Sequence, residues 1–160
     1  MFRFADDRAT PRLPQAVLTG FIAGFIAVLA FHQPMLFLLS AAGITKASVY
    51  SMHHTAPFGV PQVISLAFWG GVWGILFALV QQRFAEGLTY WLNAFLFGAI
   101  FPTLVAWFVV AQLKGLPIAA GGDSHRMITG ILINGAWGVG TALFFVILNR
   151  QRRRAVVFRP

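Results

Sequence analysis

Four long apolar runs dominate the chain, at residues 15–41, 60–80, 88–111 and 127–148, and none of them contains Asp, Glu, Lys or Arg. A helix that crosses the hydrocarbon core of a bilayer needs roughly 20 such residues, because each adds about 1.5 Å to a core about 30 Å thick. Each run therefore predicts a transmembrane α-helix. Spanning strands would show segments of about ten residues that alternate in polarity, whereas these runs are apolar on every side. The expected fold is all-α, a four-transmembrane-helix bundle forming a single domain over residues 1–160. The first run starts far from the N-terminus and is long for a secretory signal, so it is expected to stay in place, although Ala41-Ala42-Gly43 resembles a cleavage site.

Composition agrees with the pattern. The chain is 58% hydrophobic and 10% charged, with a mean hydropathy of +0.76, where soluble domains carry about 25% charged residues. There is no cysteine, which excludes disulfides, a thiolate nucleophile and Cys-ligated zinc or iron–sulfur clusters.

The net charge of +8 is unevenly placed. With four spans, both termini share a side with the turn at residues 81–87. That side carries Arg3, Arg8, Arg12, Arg83, Arg150, Arg152, Arg153, Arg154 and Arg159, whereas the opposite side has only Lys46, Lys114 and Arg126. Basic residues are retained in the cytoplasm, so both termini are expected there. The basic tail after the last span is expected to meet anionic lipid, since it has neither a recognition motif nor the interleaved aromatic residues that nucleic-acid binding uses.

The runs also resemble one another. A shift of 64 lays Gly71-Val72-Trp73-Gly74 on Gly135-Ala136-Trp137-Gly138, and a shift of 74 lays Phe21-Ile22-Ala23-Gly24 on Phe95-Leu96-Phe97-Gly98. The pattern suggests two tandem helical hairpins. Small residues four apart, at Gly20/Gly24, Gly70/Gly74 and Ala136/Gly140, together with Gly71, mark faces where helix backbones approach closely.

Candidate chemistry is sparse. His32, inside the first run, precedes Gln33-Pro34. Proline removes a backbone donor, so a kink and a freed carbonyl near Ala30 are expected. His32, Trp69, Thr103 and Asn134 fall at similar depth, about 10–15 Å from the non-cytoplasmic ends of their helices at 1.5 Å per residue. They form a candidate ligand pocket, with Pro102 expected to kink the third helix at that level. Within it, Asn134 is the expected hydrogen-bond partner of His32. A second, weaker candidate is a metal site made of His53, His54, Asp123 and His125, although their spacing matches no metal-ligand motif. A haem between helices would want two facing histidines, and His32 is alone inside a run. Every acidic residue lies outside the runs, which disfavours proton- or cation-coupled transport.

In Ala30-Phe-His-Gln-Pro34 and in Pro57-Phe-Gly-Val-Pro-Gln-Val-Ile-Ser-Leu-Ala-Phe-Trp-Gly-Gly-Val-Trp-Gly74 the chain resembles small four-helix proteins of the bacterial inner membrane. The resemblance implies that location and brings no catalytic motif. The expected role is thus non-enzymatic: an accessory or assembly subunit, or a small oligomer, packing through glycine-rich faces against other membrane subunits or itself. No resident cofactor is expected. The alternative is a small-molecule, haem or metal-binding protein with a pocket at His32 and Asn134, open to the periplasmic side.

Overall fold

The computed structural model describes residues 13–56 and 58–157, with side chains described as far as residue 150. It is all-helical apart from one short hairpin, and four helices are long and apolar enough to cross a membrane. They are α1 (Leu13–Ala41), α2 (Gln62–Val80), α3 (Leu88–Leu113) and α4 (Ser124–Val157). The loop between α1 and α2 contains β1 (His54–Thr55) paired antiparallel with β2 (Val60–Pro61).

Two boundaries differ from the apolar pattern. Val60 and Pro61 belong to β2, so α2 begins at Gln62. α4 begins at Ser124, before the apolar run, because Asp123 caps it: the Arg126 N–H donates to Asp123 Oδ1 at 3.2 Å. A carboxylate there satisfies one of the donors that a helix start leaves unpaired.

α1 and α3 each change register in their second half. α1 holds a π turn at Val28–His32 just before Pro34, and α3 holds one at Ala106–Val110 just after Pro102. A proline cannot donate to the preceding turn, and in α1 the π turn runs directly into the donor that Pro34 lacks; the π turn of α3 begins four residues after Pro102, beyond the bond that proline removes.

α1 packs against both α2 and α4, and α3 packs against α4. Backbones touch at two crossings. At the first, Gly20 and Gly24 of α1 meet Gly70 and Gly74 of α2; a Cβ on Gly74 would lie 2.9 Å from the Gly24 Cα. At the second, Ala94 and Gly98 of α3 meet Asn134 and Gly138 of α4; a Cβ on Gly98 would lie 3.0 Å from the Gly138 Cα. At Gly24, Gly74, Gly98 and Gly138 a Cβ would strike facing backbone, and the gain from its absence is close van der Waals contact along both helices. Phe21 covers Gly71, and Phe95 covers Gly135. α2 and α3 meet through larger groups: Phe97 stands edge-on to Trp73 and Phe77, with ring centres 6.3 and 5.5 Å apart. The core among these helices includes Ala27, Val28, Phe77, Ala94, Phe97, Trp137 and Ala142.

Candidate functional site

Two groups of polar side chains inside the helices lie toward the ends remote from the termini. The first lies on α1. His32 is 7% exposed and Gln33 1%. The Gln33 amide donates to His32 Nδ1 at 3.4 Å, which leaves the ring proton on Nε2. Gln33 Oε1 accepts the backbone N–H of Tyr50, 2.7 Å away in the loop. The Tyr50 hydroxyl reaches further along α1 and donates to the Leu29 carbonyl at 2.6 Å.

That carbonyl is open for a specific reason. In the π turn the Gln33 N–H bonds five residues back, to Val28. The next bond in this register would run from residue 34 to Leu29, and Pro34 has no N–H. The freed carbonyl is thus Leu29, one residue from the Ala30 position that an unbroken α register gives. Tyr50 fills the gap from a left-handed backbone conformation, φ +48°, which is uncommon for a bulky residue.

The second group joins α3 to α4. Asn134 Nδ2 donates to Thr103 Oγ1 at 2.9 Å, and the Thr103 hydroxyl donates to the Gly130 carbonyl at 3.4 Å. Asn134 is therefore bonded to Thr103, whereas His32 is bonded to Gln33. Trp69 is 58% exposed and turned outward beside Phe68, so it lines no interior site. The four candidate pocket residues are thus divided among two groups and one outer face.

The loop residues proposed as metal ligands are likewise dispersed. Among the described residues no group of three or more His, Asp or Glu comes together as a metal site. His54 Nδ1 donates to the Gly59 carbonyl at 2.6 Å, closing the hairpin. The His53 N–H donates to Ser51 Oγ at 3.4 Å. Asp123 caps α4 and pairs with Arg126, 3.5 Å away. His125 contributes its backbone carbonyl to the Thr129 hydroxyl at 2.7 Å.

Comparison with known protein families, with curated proteins and with solved structures finds no match. What the chain can do is therefore read from its own geometry. The groups toward the far end are neutral: an imidazole, two amides, two hydroxyls and a proline-freed carbonyl, each suited to hydrogen bonding. Deeper in the bundle, Trp137 Nε1 donates to the Gly24 carbonyl at 2.9 Å, tying α4 to α1, and the Thr141 hydroxyl donates to the Trp137 carbonyl at 2.9 Å. Near the opposite end the Tyr90 hydroxyl donates to Gln81 Oε1 at 3.2 Å. Thr19 is fully buried with no partner for its hydroxyl, and nothing in the structure explains it.

Each glycine marked by spacing falls in a contact: Gly20, Gly24, Gly70 and Gly74 at the first crossing, Gly71 under Phe21, and Gly140 under Phe31 of α1. Ala136, the other member of its pair, is half-buried. The second crossing uses Gly98 and Gly138 instead, whose signal was their place in the internal alignment. Gln33 and Tyr50 had no comparable signal, because a bond between residues 17 apart through a loop leaves no periodicity.

Proposed function

We propose that the chain is a non-enzymatic, multi-pass protein of the bacterial inner membrane, with both termini cytoplasmic, that acts as an accessory or assembly subunit or as a small oligomer. One observation carries this reading: apart from Thr19, the buried polar side chains described within the helices bond to the chain's own framework. Gln33 holds a loop, Asn134 and Trp137 hold neighbouring helices, and Tyr90 holds Gln81.

Two tandem hairpins account for the architecture. The shifts of 64 and 74 that align the sequence carry Gly70, Gly71 and Gly74 onto Asn134, Gly135 and Gly138, and Gly20, Phe21 and Gly24 onto Ala94, Phe95 and Gly98. Equivalent residues meet equivalent partners in each pair, including the phenylalanine that covers the middle glycine. These matched contacts support a repeated hairpin. The halves then diverge where Gly70 becomes Asn134. Trp137 Nε1 lies 3.1 Å from where a Gly70 Cβ would stand, so an indole has little room beside the side chain of Asn134. Trp73, the equivalent of Trp137, meets Phe97 edge-on instead.

The GxxxG faces are used inside the chain. Association with other subunits therefore falls to outward rows such as Leu92, Leu96, Ile100 and Leu104 of α3, all exposed. α4 continues as helix to Val157 and carries Arg150, Arg152, Arg153 and Arg154 past its apolar run. Anionic lipid is the proposed partner of this tail, at about 1 kcal/mol per basic residue near the surface.

The test is light scattering, an absorbance scan and metal analysis of the intact protein purified in mild detergent. The proposal expects a mass above one chain, with neither a chromophore nor stoichiometric metal. A monomer carrying stoichiometric haem, quinone or metal would replace it with the ligand-binding reading.

A further inference from the structure

The helix ends remote from the termini are not level. The first turn of α2 is bonded to the preceding loop, with Gln62 N–H donating to the His53 carbonyl at 2.9 Å and Val63 N–H to the Ser51 carbonyl at 3.0 Å. Tyr50, adjacent to Ser51, is fixed to Leu29 and Gln33 of α1. The start of α2 therefore stands beside residues 29–33 of α1, and residues 34–41 of α1 overhang it by about 12 Å at 1.5 Å per residue.

This overhang and the loops beside it expose large apolar side chains among their polar residues. Phe37 and Leu38 are exposed on the overhang, Met52 is 65% and Phe58 87% exposed in the first loop, and Leu113 is 82% exposed at the end of α3. Lys46 is the only charged residue between positions 34 and 59, and Lys114 the only one between 105 and 122.

We propose that this crown is a lipid-binding surface that sits at the headgroup and acyl boundary of the leaflet opposite the termini, with Phe37 and the hairpin residue Phe58 inserted among lipid chains. Three observations select lipid as the occupant. The first loop is tethered at both ends to helices of membrane-spanning length, so its apolar residues are held beside the bilayer at high effective concentration. The 29 residues of the first span extend about 43 Å, the thickness of a bilayer with its headgroup layers, whereas the 22 residues of the second span, Gln62–Arg83, extend about 33 Å, close to the hydrocarbon core alone. The overhang thus belongs to the interfacial layer. Finally, the crown mixes exposed aromatic and aliphatic side chains with isolated lysines, a combination that buries apolar groups among acyl chains and leaves ammonium groups beside lipid phosphates. Its non-helical backbone sets the depth: the hairpin can lie among headgroups and water, but not in the dry core.

The inference rests on the membrane reading alone, and not on the assembly role or on which side the termini face. Because the chain has no cysteine, single substitutions report position cleanly. Full-length Phe37→Cys, Phe58→Cys and Ser48→Cys proteins are labelled with an environment-sensitive nitrobenzoxadiazole dye and reconstituted into phosphatidylcholine and phosphatidylglycerol vesicles. Each is then quenched by nitroxide-bearing lipid or by aqueous iodide. All three residues are exposed, so none of the substitutions disturbs the core. The crown predicts blue-shifted emission at positions 37 and 58 relative to 48, with several-fold stronger quenching by a nitroxide near the headgroup than by iodide. Water-like emission at both positions, with iodide quenching as strong as at position 48, would overturn it. Protection from both quenchers would overturn it equally, since a protein would then cover the surface.

Discussion

The Leu29 carbonyl shows how one residue type sets the needs of another far along the chain. Pro34 removes its donor, and Tyr50 supplies a replacement at 2.6 Å. The Leu29 carbonyl is only half-buried, so losing this bond should cost its ordinary net worth, and Tyr50→Phe should destabilise the protein by about 0.5–1.5 kcal/mol in thermal or denaturant unfolding. Pro34→Ala restores an N–H to the turn, and in that background Tyr50→Phe should cost less; equal costs in both backgrounds would separate the two residues. The glycines predict a second contrast. A Cβ on Gly74 meets the Gly20 carbonyl, which is rigid backbone, whereas a Cβ on Gly71 meets the Phe21 ring, which can turn away. Gly74→Ala should therefore destabilise by about 1–3 kcal/mol through overpacking, and Gly71→Ala by clearly less. The proline and a freed carbonyl near Ala30 are legible in the sequence, whereas the π turn that makes the acceptor Leu29 is not.

At the scale of elements, runs without charge marked where helices lie, and capping and pairing moved their ends. Asp123 draws the start of α4 back to Ser124, and the hairpin claims Val60 and Pro61. Depth along each helix brought His32, Thr103 and Asn134 to one level, but depth carries no information about direction around the helix axis. Thr103 and Asn134 face each other across α3 and α4, while Trp69 faces outward. Thr103→Val and Asn134→Leu should accordingly be coupled in a double-mutant cycle, by about 0.6 kcal/mol, the average for such bonds in membranes. His32→Leu should add independently to Asn134→Leu. Coupling between positions 32 and 134 would restore the pairing expected from depth.

At the scale of the whole molecule, four helices of sufficient length and apolarity fix the class, and the distribution of basic residues supplies the proposed direction. Arg3, Arg8, Arg12 and Arg159 lie outside the described residues. The depth of the polar groups, the side on which the crown lies and the role of the tail all follow from this orientation. Single cysteines at Ser48, Ser124 and Gln151, introduced into a chain that has none, measure it directly. In intact cells with a permeable outer membrane, an impermeant maleimide should label positions 48 and 124 and leave 151 untouched until the inner membrane is broken. Labelling of 151 in intact cells, with 48 and 124 protected, would reverse the molecule and contradict the account.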